Sequence, residues 1–310
     1  MKHSERAFQF ECQGEPLVGI VSLPLDATAP PPEVGLLIVV GGPQYRVGSH
    51  RLFVRLARRA ADQGLPAMRF DYRGMGDALG EMRTFESVDD DLRAAIDAFL
   101  REVPTLRRVV LWGLCDGASA SCFYAPRDPR VGGLILVNPW VHTTEGAAAT
   151  SLRHYYLQRL FSGALWKKVL SGQLPRIGPL LKLLGTVVRS RVSTWARPPL
   201  PAANARHDSA AGLPLPQRTG HQLSLSGVPV AVVLSDDDKV AREFEGRALP
   251  TPQWQRALQA QSIGVTHLAQ ADHTVTSPEA RAELCQLSVT WALQMASQAP
   301  RHPAHPRPIP

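Results

Sequence analysis

Arg107-Arg108-Val109-Val110-Leu111-Trp112-Gly113-Leu114-Cys115-Asp116-Gly117-Ala118 decides the reading of this chain. A strand of apolar residues from Arg107 to Trp112 runs into Gly113-Leu114-Cys115-Asp116-Gly117, and small residues from Ala118 open a helix. A cysteine with glycine two before and two after is the pattern of a sharp strand-to-helix turn carrying a nucleophile at its tip. The chain folds back so tightly there that the flanking residues meet each other and the neighbouring strand, where a Cβ would clash. The helix N-terminus behind the turn offers partial positive charge, which favours a thiolate on Cys115. The competing reading is a buried structural cysteine, and it suits Cys122, seven residues on.

The same strand–helix alternation continues on both sides. Phe8–Cys12 and Leu17–Val21 read as a strand pair around Gly14-Glu15. Val34–Val40 is a continuous apolar run, as expected of a strand buried on both faces. It stops at Gly41-Gly42-Pro43-Gln44 and leads to a helix from about His50 to Gln63, with Gly64 as its stop. Pro66–Phe70 is a strand before the Gly-rich loop 71–77. Ser87 to Arg101 reads as a helix with Ser87 as cap and Asp89, Asp90 and Asp91 in the first turn. Val131–Val137, Gly227–Leu234 and Val265–Ala269 are further strands, and Ser277–Met295, with Pro278 at its first position, is the closing helix. This order predicts a mostly parallel, doubly wound sheet of about eight strands.

Residues 141–222 break the rhythm. Two strands that a crossover of ~15 residues would join are separated here by a stretch with helical apolar spacing over Leu152–Leu170 and Ile177–Val188. The predicted organisation is a core over 1–140 and 223–298, an inserted helical cap over 141–222 and a disordered, Pro/His/Arg-rich tail over 299–310. Charge follows the same division. From Val141 to Gly220 there are eleven Lys/Arg against two acids, +9, while the rest of the chain sums to −2. The helical stretches there carry few interleaved aromatics and no known reading motif, so no nucleic-acid partner is expected. Basic helices with apolar faces lie at anionic surfaces or cover anionic substrates. The competing view is a plain lid with a solvated outer face.

Composition places the chain among ordinary globular proteins, with 44% hydrophobic and 20% charged residues in 310. No apolar run reaches the ~18 residues of a spanning helix, and Met1 to Arg6 leads into no apolar segment of a secretory signal. The four cysteines form no CxxC pair and no disulfide framework. The expectation is a cytoplasmic protein, peripheral at the inner membrane face if the basic cap engages lipid, with no cofactor and no metal.

A thiol nucleophile needs a base, and the base an orienting acid. In this strand order the acid follows the strand ending at Leu234 and the base follows the last strand. Ser235-Asp236-Asp237-Asp238-Lys239 and Ala271-Asp272-His273-Thr274 occupy those places. His273 alone among ten histidines sits between the final strand and the closing helix. His50 reads as a helix start, His142 and His154 as cap, and His267 as strand. Spacing does not choose among the three aspartates. For a tetrahedral oxyanion, the backbone N–H groups of Gly42 and Asp116 form the best pair, since Pro43 has no N–H to give. Arg46 nearby reads as an anion contact or, more simply, a surface arginine.

These residues resemble the α/β-hydrolase superfamily over nearly the whole chain, and more narrowly the exosortase A system-associated hydrolase 1 family. The resemblance rests on Gly41–Arg46, Arg69–Asp77, Gly113–Gly117, Ser235–Phe244 and Asp272-His273-Thr274. It implies that the acid is Asp238, with Asp237 in reserve. Asp236 for the family's Gly, and Lys239-Val240 for its Leu-Thr, depart from the pattern. It further implies an α/β-hydrolase fold with a Cys115–His273–Asp238 triad and a setting beside a bacterial protein-sorting and exopolysaccharide system. Cys–His pairs on this fold also resemble the dienelactone hydrolases. The expected activity is ester or thioester hydrolysis, or acyl transfer, through an acyl-cysteine. The substrate is a small-molecule or carrier-linked acyl group, anionic if the cap steers it. The alternative is a catalytically idle fold that docks to a membrane-associated complex. A haloperoxidase or dehalogenase would want Ser or Asp at position 115.

Overall fold

The computed structural model describes residues 3–25, 31–42, 44–142 and 212–298. By backbone contacts the chain divides into two compact units, 1–144 with 213–310, and 145–212. The helical stretches expected over Leu152–Leu170 and Ile177–Val188, and the tail, lie outside the described residues.

The first unit is built on one eight-stranded sheet in the order β1-β2-β4-β3-β5-β6-β7-β8. A hairpin, β1 (His3–Cys12) and β2 (Glu15–Pro24), forms one edge and pairs antiparallel with β4 (Ala67–Phe70). From β4 onward every pairing is parallel, through β3 (Val34–Val39), β5 (Arg108–Leu114), β6 (Val131–Val137), β7 (Val230–Ser235) and β8 (Ser262–Leu268). All six residues of β3 and all six of β7 are buried, as expected for central strands covered on both faces.

Register shows how the faces are covered. Ile38 pairs with Trp112 and Gly35 with Val109. Trp112 packs edge-on against Phe53 of α1 (Leu52–Asp62), at 5.6 Å between ring centroids. Its indole N–H donates to Ser288 Oγ of α7 (Pro278–Gln298) at 2.9 Å. Gly35 is three residues from Ile38 and faces the other side. A Cβ on it would fall 2.6 Å from Phe99 of α2 (Asp89–Glu102). The strand leading to Cys115 is therefore held between α1 and α7 on one face, opposite the face that carries α2.

Several local expectations change. α1 begins at Leu52, because His50 and Arg51 have left-handed backbone (φ 52 and 62). The cap position of α2 is Val88, and Ser87 Oγ instead donates to the Thr84 carbonyl at 3.1 Å. Residues 215–226, read from the sequence as mostly insertion, form helix α4 (Leu215–Ser226), which packs against α3 (Asp116–Tyr124) and α6 (Pro252–Gln261) within the first unit. The Trp254 indole N–H of α6 donates to the Pro216 carbonyl at 3.0 Å. Helices α5 (Lys239–Arg247) and α6 were not foreseen. No helix among the described residues is long and apolar enough to cross a membrane.

Candidate active site

The carboxyl ends of β3, β4, β5, β6, β7 and β8 lie along one edge of the sheet, where doubly wound folds place their chemistry. Cys115 stands there at the tip of the β5–α3 turn, with φ 61 and ψ −125. That backbone is costly for a residue with a Cβ, and its surroundings fix it. The Cys115 N–H donates to the Val137 carbonyl at 2.9 Å, and the Cys115 carbonyl accepts from the N–H groups of Ala118 and Trp140. A Cβ on Gly113 would stand 2.4 Å from the Gly117 carbonyl carbon, and one on Gly117 would stand 2.6 Å from the Val39 carbonyl oxygen. Glycine at both positions is what lets α3 start this close to its strand.

Cys115 is partly exposed, whereas Cys12, Cys122 and Cys285 are buried. The sequence expectation of a thiol lowered by the helix N-terminus is reversed. Burial, then the charges of Asp116 and Asp238, push Cys115 well above the ordinary thiol range, against the pull of the Asp116 N–H. The resting residue is a thiol, and thiolate requires a base.

The loops after β7 and β8 bring one together. His273 Nδ1 lies 2.7 Å from Asp238 Oδ2. Asp238 is 4% exposed, and its Oδ1 accepts from the Val240 N–H at 2.9 Å, capping α5. A neutral imidazole whose Nδ1–H donates a hydrogen bond to Asp238 leaves the Nε2 lone pair free for base chemistry. Asp236 and Asp237 do not reach His273. Asp236 lies 3.0 Å from His267 Nδ1, and the exposed Asp237 has Arg242 at 3.9 Å. The two loops are stitched by backbone, with the Asp236 and Asp237 N–H groups donating to the carbonyls of Leu268 and Ala271. Asp272 Oδ1 accepts from the N–H groups of Thr274 and Thr276, fixing the turn that carries His273. Among the described residues, no hydrogen bond joins Cys115 to His273. His142 pairs with Glu243 of α5 at 2.9 Å.

The loop after β3 lies directly against the elbow. A Cβ on Gly41 would meet the Leu114 carbonyl oxygen at 2.2 Å, and Gly42 follows with φ 58. Arg46 is not a free surface arginine here. Its N–H donates to Asp71 Oδ1 at 2.6 Å, and its guanidinium bridges Asp71 and Asp77. The Asp71 side chain is wholly buried, and burial raises its pKa against the pull of Arg46. Arg46→Ala is expected to leave that carboxylate unpaired and to cost about 3 kcal/mol in urea denaturation. It should also lower kcat about tenfold by freeing the loop that carries Gly42, since small misplacements of reacting groups are expensive.

A family model described as serine aminopeptidase, S33, matches residues 46–251. The chain belongs to this family. Among solved structures it is similar to an esterase from Pyrococcus furiosus, with 12% identity, 94% of this chain and 91% of that chain covered, and a TM-score of 0.59. It is likewise similar to an α/β serine hydrolase without a lid from Xanthomonas campestris, with 17% identity, 97% of each chain covered and a TM-score of 0.52. Both carry the α/β-hydrolase fold, and this chain shares it. A curated relative, the polyketide transferase GrgF of a Penicillium species, is 26% identical over 110 residues, 34% of this chain. The match spans 37% of that protein's length. The family's description names a serine, but the serines nearest the elbow of this member are engaged elsewhere. Ser119 and Ser121 are buried within α3, donating to the carbonyls of Trp140 and Gly117. Among the described residues no serine has a positive φ, whereas Cys115 does.

Proposed function

We propose that this chain is an acyl hydrolase or acyltransferase that works through an acyl-Cys115 intermediate. The observation that carries the reading is the meeting, at one edge of the sheet, of a strained Cys115 turn with a His273–Asp238 pair closed to 2.7 Å. His273 Nε2 takes the Cys115 proton as Sγ attacks the carbonyl carbon of an ester or thioester. The carbonyl π pair moves to oxygen, facing the N–H groups of Asp116 and Gly42. Collapse expels an alkoxide or thiolate that takes the proton back from His273. Water or an acceptor alcohol, deprotonated by the same imidazole, then attacks the acyl carbon; the C–Sγ bond breaks, and the departing Cys115 thiolate takes the proton back from His273. Asp238 holds the imidazole in the tautomer this needs. No metal or cofactor enters the sequence of steps.

The resemblance to exosortase-associated hydrolases supports a setting beside a protein-sorting and exopolysaccharide system. The +9 stretch supports a negatively charged acyl donor presented at the cytoplasmic face of a membrane. A second reading, the idle fold docked to a membrane complex, is favoured by the resting thiol and its lack of a bond to His273. An acyl-donor screen separates the two. Purified protein is given simple esters, coenzyme A thioesters and carrier-protein thioesters, with and without anionic vesicles, and Cys115 is followed by mass spectrometry. An acyl mass on Cys115 and turnover of at least one donor class are expected. No adduct and no turnover with any donor would leave the docking module.

A further inference from the structure

Asp116 follows the nucleophile, and its side chain returns to the place where an oxyanion is to be held. The N–H groups of Gly42, of Asp116 itself and of Gly117 face its carboxylate. Oδ1 stands 2.7 Å from the point a Cβ on Gly41 would occupy and 3.6 Å from that of Gly42, and it is buried without closing a hydrogen bond. Three other titratable groups act on it or feel its charge. Cys115 shares the turn, Tyr72 comes from the loop after β4, and His273 from the loop after β8, while Asp238, from the loop after β7, acts on Cys115. Burial raises the Asp116 carboxyl to about 6, against those N–H groups and the His273 charge.

An ionised carboxylate in this position opposes the reaction. It draws on the donors that the tetrahedral oxygen needs, and two oxyanions side by side cannot both be stabilised there. With its proton on, the same group becomes a donor. A buried carboxylic acid that gives its O–H to a developing oxyanion is an established way of using a raised carboxyl in a catalytic site.

We propose that Asp116, in its protonated form, is a catalytic residue: its carboxyl O–H donates a hydrogen bond to the oxygen that becomes negative when Cys115 attacks. The role rests on the acyl-cysteine reading and adds a side-chain donor to the two backbone N–H groups. The Asp116 proton stays on its carboxyl throughout. The thiol proton goes to His273 and from there to the leaving group, so no further acid or base is required.

Asp116→Asn and Asp116→Ala test this, with p-nitrophenyl acetate as probe, kcat/KM followed from pH 5 to 9, thermal unfolding as a check on folding, and the acyl mass on Cys115 measured in each protein. Asparagine keeps an N–H donor that never ionises, and alanine keeps none. At pH 6 the alanine variant is expected to lose about 100-fold or more, the usual cost of one oxyanion donor. The asparagine variant should stay within about tenfold of the parent. The ratio of Asp116→Asn to parent should climb as pH rises through about 6, where the parent loses its proton and asparagine does not. If Asp116→Ala equals or exceeds the parent, the carboxylate only plugs the site and the donor role falls. If folded Asp116→Asn drops as far as Asp116→Ala, the site needs a carboxylate charge and the role falls again. A parent protein that turns over the ester with no acyl mass on Cys115 removes the acyl-cysteine reading itself, and the donor role with it.

Discussion

Cys115→Ala is expected to reduce turnover by about 10,000-fold or more while leaving the fold unchanged. Removing the nucleophile of a triad costs nearly as much as removing all three members, because the remaining groups act only through it. Folding should survive. Alanine keeps the Cβ that already sits at φ 61, and the bonds fixing the turn are made by the backbone of residue 115. Cys115→Ser should retain only a trace, since the buried surroundings that push the thiol up oppose an alkoxide more strongly. Iodoacetamide labelling adds an independent readout. Cys115 should react first because it alone among the four cysteines is partly exposed, whereas Cys12, Cys122 and Cys285 are buried. A Cys115→Ala protein with more than about 1% of parent activity would return the nucleophile to a serine, and Ser119 and Ser121 would first have to leave the carbonyls they hold.

The central sheet was legible because its strands are buried on both faces and therefore uniformly apolar. Val131–Val137 was read at the bounds the structure has, and β3 and β7 within a few residues. Legibility fades where burial is partial. Helix α5 buries only Ala241 and Phe244, and its charged residues blur any apolar stripe. Helix α6 is signalled by its ends, Thr251 accepting from the Trp254 N–H and Pro252 at the first position, rather than by its faces. Edge strand β8 is exposed at Ser262 and half-buried at Ile263 and Gly264, so its start escaped the apolar pattern.

The candidate site divides in the same way. Strand order and the glycine-flanked turn assign Cys115, His273 and the aspartates after β7 to one edge of the sheet, and the structure places them there. Arg46 was misread because its partners are 25 and 31 residues away, and only loop closure reveals that it clamps Asp71 and Asp77. The direction of the Cys115 shift was misread for a related reason. A helix N-terminus is visible in sequence, but the opposing burial and the carboxylates of Asp116 and Asp238 depend on packing.

The aspartate tract after β7 provides the second large effect. Asp238→Asn is expected to lower kcat about 1,000- to 10,000-fold with little change in KM, whereas Asp237→Asn should stay within about threefold. The loss is catalytic rather than structural, because asparagine still caps a helix. Its oxygen can accept from the Val240 N–H as Asp238 Oδ1 now does, so the thermal midpoint should move little. What changes is the atom facing His273. Carboxylate Oδ2, at 2.7 Å from Nδ1, accepts a hydrogen bond, whereas an amide NH2 there donates one. The imidazole must then accept at Nδ1 and carry its proton on Nε2, so it is no longer a base toward Cys115. Asp237 has no such lever. Its side chain is exposed, and its contribution to the His273 loop is the backbone N–H given to Ala271, which asparagine keeps. If Asp237→Asn proved the more damaging of the two, the loop would have to rearrange in solution so that Asp237, not Asp238, reaches His273. The iodoacetamide rate of Cys115 would then fall in Asp237→Asn and not in Asp238→Asn.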